Sequence, residues 1–309
     1  MATAPVRAKP GPSRRAVRSA VRSEHATGWA FLLPAVILIG TFQVVPLIWS
    51  FILSFQQSDL VSPSTWVGLD NYHRLAHDQV FFDSVRRTVI FTGLFVPITL
   101  ALGLALAKLL DRGVRGIGIY RLAVFIPVVT STVATAVVFV FLLDRDYGIV
   151  NSGLEQVGIA RQGFLQDPDQ ALYAIVGIVV WHWVGFAVIV FLAALQGIPR
   201  EIVEAAQMDG ATRWRVFRRV ELPLLGPATL FLMVWLTIES LQLFDEIYVT
   251  TPGGGLLQST TVVVFYLYQQ AFNLFHAGYA TAIAYVLFLA TAGISAAQFW
   301  ASRKVVHYQ

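Results

Sequence analysis

The sequence has no cysteine in its 309 residues and little charge, with Asp, Glu, Lys and Arg together making up 13%. Without cysteine there are no disulfides, no thiolate metal sites and no cysteine nucleophile. The low charge excludes an ordinary water-soluble globule, in which about a quarter of the residues are charged. No glycine-rich loop is followed by Lys-Ser/Thr, so the chain lacks the phosphate cradle needed to hydrolyse ATP alone; Gly253-Gly254-Gly255 has no such lysine. His73, His77, His182, His276 and His307 are scattered without metal-ligand spacing. What is plentiful is apolar: 56% of residues are hydrophobic and the mean hydropathy is +0.66. Lipid solvates such side chains directly, and a membrane protein is expected.

Six apolar runs reach the ~20 residues that a bilayer core requires. They cover about 28–55, 87–110, 119–143, 171–196, 226–248 and 278–301. Pro34, Pro46, Pro97 and Pro127 lie inside runs. Packed membrane helices tolerate such prolines, because neighbours satisfy the freed carbonyls. Trp29, Trp49, Trp181, Trp183 and Trp300 lie within runs or near their ends, and several fit an interfacial belt. The expected fold is all-α: an integral membrane bundle of six transmembrane helices.

Basic residues divide sharply between alternate loops. Arg7, Lys9, Arg14, Arg15, Arg18 and Arg22 precede the first run. Lys108, Arg112, Arg115 and Arg121 flank the second turn, and Arg200, Arg213, Arg215, Arg218 and Arg219 lie in the 197–225 loop. With Arg303 and Lys304, these make seventeen of the 22 basic residues. The opposite side holds only Arg74, Arg86, Arg87, Arg145 and Arg161. The positive-inside rule then puts both termini in the cytoplasm and requires an even number of spans. Residues 1–27 read as a disordered basic tail; as a signal peptide they would be followed by too long an apolar run. Of the outer loops, 56–85 is turn-rich, 144–170 is acidic, and 251–277 carries no charged residue. In the last, Val262, Phe265, Tyr266, Tyr268, Gln269 and Phe272 pattern as a short amphipathic segment packed at the outer surface.

The 197–225 loop reads as two short helices with a break. Pro199 suits a first helical position and Glu201 the positive end of the helix dipole. Glu204-Ala205-Ala206 makes a compact face that a partner can approach closely, and Asp209-Gly210 supplies a left-handed stop. Thr212 to Arg219 forms a second, basic helix, ended by Leu222-Pro223.

This loop resembles the signature of the membrane subunits of binding-protein-dependent ABC importers. That signature is Glu-Ala-Ala, three residues, Gly, nine residues, an aliphatic, one residue, then Leu-Pro. Glu204, Ala205, Ala206, Gly210, Val220, Leu222 and Pro223 match it, with Val in place of the usual Ile. Trp66-Val67-Gly68-Leu69-Asp70-Asn71-Tyr72 is similar to a segment of the sugar and glycerol-3-phosphate permeases. So is Phe244-Asp245-Glu246-Ile247-Tyr248-Val249 with the following glycines and Ser259-Thr260, although the expected proline is absent. The resemblance spans nearly the whole chain. It implies a transport domain over 28–309, in a bacterial inner membrane, with a cytoplasmic coupling helix between helices 4 and 5. It also implies that Glu204, Ala205, Ala206, Asp209, Gly210, Leu222 and Pro223 dock on an ATPase. The implied partners are a second homologous permease, two nucleotide-binding ATPase subunits and an extracytoplasmic solute-binding protein. ATP and Mg would belong to the partner ATPase, with no cofactor on this chain.

Polar groups inside spans are costly and face cavities or one another. Thr130, Ser131, Thr132 and Thr135 cluster in the third run, and His182 sits beside Trp181 in the fourth. Glu239, Gln242 and Glu246 at i, i+3 and i+7 are expected on one helical face, near Asp245 and Tyr248. Aromatics flanking polar groups suit a sugar, with its apolar faces and many hydroxyls. The expected cargo is a carbohydrate or polyol; glycerol-3-phosphate or its diesters are the alternative within the same class. An ion-coupled secondary transporter or a membrane-embedded enzyme is the rival class, kept open by Glu239 and Asp245.

Overall fold

The computed structural model describes residue 29, residues 31–111 and residues 117–302. The basic tail, Arg112, Arg115, Arg303, Lys304 and His307 lie outside the described residues. The chain divides into two units, residues 1–53 and 54–309. The first unit holds α1, Phe31–Leu53. Its turn at Gly40–Val44 is wide, with the Val45 N–H bonding to the Gly40 carbonyl. Pro46 follows and has no N–H for the ordinary ladder, which accounts for the widening.

In the second unit, a two-stranded antiparallel ribbon pairs β1 (Gln56–Gln57) with β2 (Thr65–Trp66). The short helix α2 (Asp70–Ala76) follows. The segment 66–72 is a fastener for this ribbon. Gly68 takes φ +60°, the Asn71 amide donates to the carbonyls of Ser54 and Gln56 at 2.9 Å each, and Phe55 stacks on Trp66.

The long helix α3 spans Gln79–Leu110 and starts earlier than the apolar run, because Asp78 caps it by accepting from the N–H groups of Val80 and Phe81. Helices α4 (Ile117–Val129) and α5 (Thr132–Leu142) meet at a bend of 102°, so the third run is not one straight helix. The bend falls after Pro127, where the Thr130 hydroxyl and N–H both bond to the Pro127 carbonyl. Helix α6 (Ile149–Gln156) lies in the acidic loop. Helix α7 matches its apolar run, Ala171–Gln196. Helices α8 (Arg200–Met208) and α9 (Arg213–Leu224) form the basic loop. Helix α10 (Gly226–Leu241) is bent by 64° from α9. It stops at Leu241, short of the apolar run's end at Tyr248, and α11 (Asp245–Thr250) is a separate helix. Helix α12 (Val263–Tyr268) buries Val263, Phe265 and Tyr266 as the amphipathic pattern requires. Helix α13 spans Ala277–Ser302.

Four of the described helices, α1, α3, α7 and α13, are long and apolar enough to cross a membrane singly. Six spans result if each bent pair is one crossing. The core of the second unit lies where α3, α7 and α10 meet, around the fully buried Phe91, Phe95, Ile175, Phe191, Leu232 and Leu236. Small residues set the spacing: a methyl added to Gly103 would lie 2.6 Å from the Ala187 side chain, and one on Gly185 would strike the Val124 carbonyl. Such contacts allow helices to approach closely where lipid gives no hydrophobic drive. Polar pairs tie α10 to its neighbours: the Thr92 and Ser240 hydroxyls meet at 2.9 Å between α3 and α10, and the Gln298 amide of α13 donates to the Thr237 hydroxyl of α10 at 2.9 Å.

Candidate functional site

Two features stand at opposite ends of α10. At its start is the α8–α9 loop. Pro199 is the residue just before α8, with ψ 130°, rather than its first helical residue. The helix ends in a paired stop: the Gly210 N–H bonds to the Gln207 carbonyl at 3.0 Å and the Ala211 N–H to the Ala206 carbonyl at 3.1 Å. That geometry needs a left-handed residue, and Gly210 has φ +77°. Thr212 then caps α9, its hydroxyl accepting from the Arg215 N–H. Helix α9 does not break at Leu222-Pro223 as the sequence implied. It runs through to Leu224 on a wide turn at Phe217–Glu221, and bends only at Leu225. Pro223 stands two residues after this turn, as Pro46 does after the turn in α1.

No residue of α8 is buried. Glu204, Ala205, Asp209, Gly210, Leu222 and Pro223 are exposed, and Ala206 is half-buried. Met208 is 89% exposed beside them, an apolar, adaptable side chain that the motif did not single out. On the inner side, cavities of about 810 Å³ and 570 Å³ separate α8 from the bundle, both lined by Val203, Gln207, Asp111 and Glu221. Lys108 and Glu221 bridge the gap: Nζ lies 2.7 Å from Oε1 and 2.6 Å from Oε2. The loop is thus tied to the last turn of α3, and its outer face is bare. A lysine there also suits the negative end of the α3 dipole.

At the far end of α10 is an open cavity of about 180 Å³, lined by Thr132, Val179, Trp183, Glu239, Gln242, Leu243, Phe244, Asp245 and Glu246. The four acidic or amide residues expected there do converge, but not on one helical face. Gln242 leaves the helix with φ −102° and ψ 8°, so Glu246 arrives from α11. Both helix breaks, at 130–131 and at 242–244, fall beside this space. Non-helical backbone at membrane depth is tolerated where it lines a cavity. Among the described residues no basic side chain lines it.

Other expected residues lie elsewhere. Thr130 and Ser131 form the bend, with Thr132 alone of that cluster lining the cavity. Trp181 packs edge-on against Phe139, and His182 is buried against Trp183. The cavity takes Trp183 instead, one residue further on and about 100° round the helix. Tyr248 belongs to an aromatic cluster that leads away from the cavity wall: Phe244, Tyr248, Tyr268 and Phe272 are linked at centroid distances of 5.0 to 5.6 Å.

Interrupted helices around an acidic cavity thus lie at one end of α10, and an exposed helical loop at the other. The chain belongs to the family of binding-protein-dependent transport system inner membrane components, whose model matches residues 81–306. Members are ABC transporter permeases, transport subunits rather than enzymes. The chain is 37% identical to the lactose transport system permease protein LacF of Rhizobium radiobacter, over 92% of this chain and 96% of that one. It is 32% identical to the sn-glycerol-3-phosphate transport system permease protein UgpA of Yersinia enterocolitica, over 91% and 95%. It is also 32% identical to the trehalose/maltose transport system permease protein MalF of Thermococcus litoralis, over 86% and 90%. The fold is that of a chain in the crystal structure of a bacterial ABC transporter involved in the import of the acidic polysaccharide alginate, with a TM-score of 0.83 and 24% identity, covering 94% of this chain and 99% of that chain.

Proposed function

We propose that this chain forms half of the translocation pathway of an ATP-driven importer for a neutral carbohydrate or polyol. It crosses the membrane six times between cytoplasmic termini, with residues 28–309 as the transport domain. The bent pair α4–α5 counts as one span. The span containing α10 is completed by the segment through α11, since 16 helical residues reach only about 24 Å. The exposed surface of α8 (Glu204, Ala205 and Met208), with Asp209 just after it, is the coupling surface that docks into an ATPase subunit, which supplies ATP, Mg and hydrolysis. A second permease completes the pathway, and an extracytoplasmic binding protein delivers the solute.

The single observation that carries the solute class is the cavity at the two helix breaks. Glu239, Asp245 and Glu246 line it without a cation among the described residues. Carboxylates and Gln242 accept hydroxyl hydrogen bonds, and Trp183 and Phe244 offer apolar ring faces. A phosphate would meet three acids there. Arg86 and Arg87, near the outer end of α3, do not line the space. The relatives' names include lactose and trehalose/maltose alongside glycerol-3-phosphate, and the acidic cavity favours the former group.

The test reconstitutes the transporter with its ATPase and binding protein. Trp183→Ala and Gln242→Ala should each lower solute-stimulated ATP hydrolysis while leaving assembly intact. Unchanged stimulation would remove the cavity from the pathway. Uptake driven by an ion gradient without ATP would establish the rival secondary transporter. A glycerol phosphate retained by the purified binding protein would overturn the neutral-solute assignment alone.

A further inference from the structure

Between α4 and α7, beside the end of α3, lies a groove of about 520 Å³ on the outer surface of the helical bundle. Its walls are almost wholly apolar: Leu122, Phe125, Val188, Ile189 and Leu192. Leu122, Phe125 and Ile189 stay 59%, 38% and 43% exposed. Among the described residues one charged side chain lines it, Arg121, with Gln196 as its other long polar group. Arg121 sits near the start of α4, whereas Gln196 is the last residue of α7. The two polar groups therefore share one end of the groove, and the apolar walls run on from that end between the helices.

Arg121 has no carboxylate within ion-pairing distance among the described residues; the two ion pairs found are Lys108–Glu221 and Arg161–Glu155. A guanidinium in the first turns of a membrane-spanning segment is costly unless an anion meets it or it reaches the interface. Its five donors fit a phosphate bidentately. An acyl chain fits what lies below: an open apolar slot between α4 and α7, two helices that approach closely at Gly185 and Val124.

We propose that this groove is a site for an anionic phospholipid, with the headgroup phosphate on Arg121 and an acyl chain along Leu122, Phe125, Ile189 and Leu192. Charge complementarity selects the occupant: among the described residues the groove presents one cation and no acid, and basic pockets between helices are where anionic headgroups bind. With the topology proposed above, the site lies in the cytoplasmic leaflet, on the side of the bundle that carries the coupling loop. Occupancy does not depend on which solute the transporter carries, so the lipid assignment and the solute assignment fail independently.

The whole transporter, extracted in mild detergent and examined by native mass spectrometry, is the test, with phosphatidylglycerol and phosphatidylcholine added as probes. The wild-type assembly should retain phosphatidylglycerol in preference to phosphatidylcholine. Arg121→Gln should reduce that preference roughly fivefold, the value of one cation at an anionic headgroup. Ala193→Trp, which fills the groove and keeps the arginine, should displace both lipids, and Arg86→Gln at the other end of the bundle should change nothing. Equal retention of the two lipids overturns the proposal. So does a preference that survives both groove variants, or a cross-link from position 189 to the second permease showing that protein covers the groove. If Arg121→Gln fails to assemble, Ala193→Trp alone decides: a preference undiminished by the filled groove overturns the site.

Discussion

Lys108 and Glu221, 113 residues apart, form the one ion pair that joins the α8–α9 loop to the membrane bundle among the described residues, with Nζ 2.6 Å from Oε2. The two side chains differ in exposure, 30% for Lys108 and 10% for Glu221. Removing the lysine strands a buried carboxylate, whereas removing the acid leaves an amine that reaches water. Lys108→Met should therefore cost more than Glu221→Gln, with ~3 kcal/mol as the upper end for the first and ~1 kcal/mol for the second. Thermal midpoints of the purified transporter measure this, and ATP hydrolysis uncoupled from solute should accompany it. Equal midpoints for the two variants would show that the pair does not anchor the loop.

The Gly210 stop gives a conformational prediction. A methyl at this position would meet nothing within 4 Å, so only its φ of +77° restricts the residue. Gly210→Asn should retain most coupling, because Asn enters the left-handed region readily. Gly210→Val should straighten or fray the stop, at roughly 1–2 kcal/mol, and abolish solute-stimulated hydrolysis. If Asn and Val behave alike, packing against the ATPase governs this position and not backbone conformation.

A topology assay follows from the charge division. A reporter fused after Gln309 should behave as cytoplasmic, and one inserted at Gly158, where the loop turns with φ +80°, as external. The reverse pattern would invert the molecule and detach α8 from any cytoplasmic ATPase.

Asp78 joins three elements at the expected outer surface. Beyond capping α3, its Oδ2 accepts from the hydroxyls of Tyr266 and Tyr279, and Arg74 lies over the Tyr279 ring. Burial opposes ionisation of this carboxyl, but the two phenols and the N–H groups of Phe81 and Val80 outweigh it and hold it below the usual carboxylate range. Tyr266 moves the other way, raised first by burial and then by its bond to Asp78. A depressed acid contributes stability that is present above its ordinary pKa and lost as pH falls through the lowered value. A raised phenol contributes stability that is lost in the alkaline range. The clasp is therefore at full strength across neutral pH. Asp78→Asn should lower stability at neutral pH by about 1–3 kcal/mol, and the deficit should shrink as the wild type is acidified. A deficit constant down to strongly acidic pH would mean that the charge is irrelevant.

Much of this molecule was legible in the sequence. Helix α7 matches its apolar run because no proline interrupts it and Asp167-Pro168 and Gly197-Pro199 bound it. The stop at Gly210 was legible because a left-handed cap has a strong residue preference and acts within six residues. The convergence of Glu239, Gln242, Asp245 and Glu246 was also legible, though for the wrong geometric reason. Trp183 and Thr132 carried a signal, as neighbours of His182 and Ser131, but run-level polarity does not resolve which way adjacent side chains turn.

What the tertiary structure alone decided has a common cause. Hydropathy measures side-chain solvation, which is the same for a straight helix and a broken one. It gave no warning that the third run turns through 102° or that α10 ends at Leu241, where no proline or glycine stands. Packing decides the end of α10, since α11 lies against α5 and Leu243 and Ile247 bury themselves in the core, whereas the turn in the third run falls just after Pro127. Likewise Lys108 with Glu221, and Asp78 with Tyr266 and Tyr279, pair across more than 100 residues. Composition and spacing fixed which residues are costly to leave unpaired in a membrane. Only the arrangement of the helices determined which of them meet.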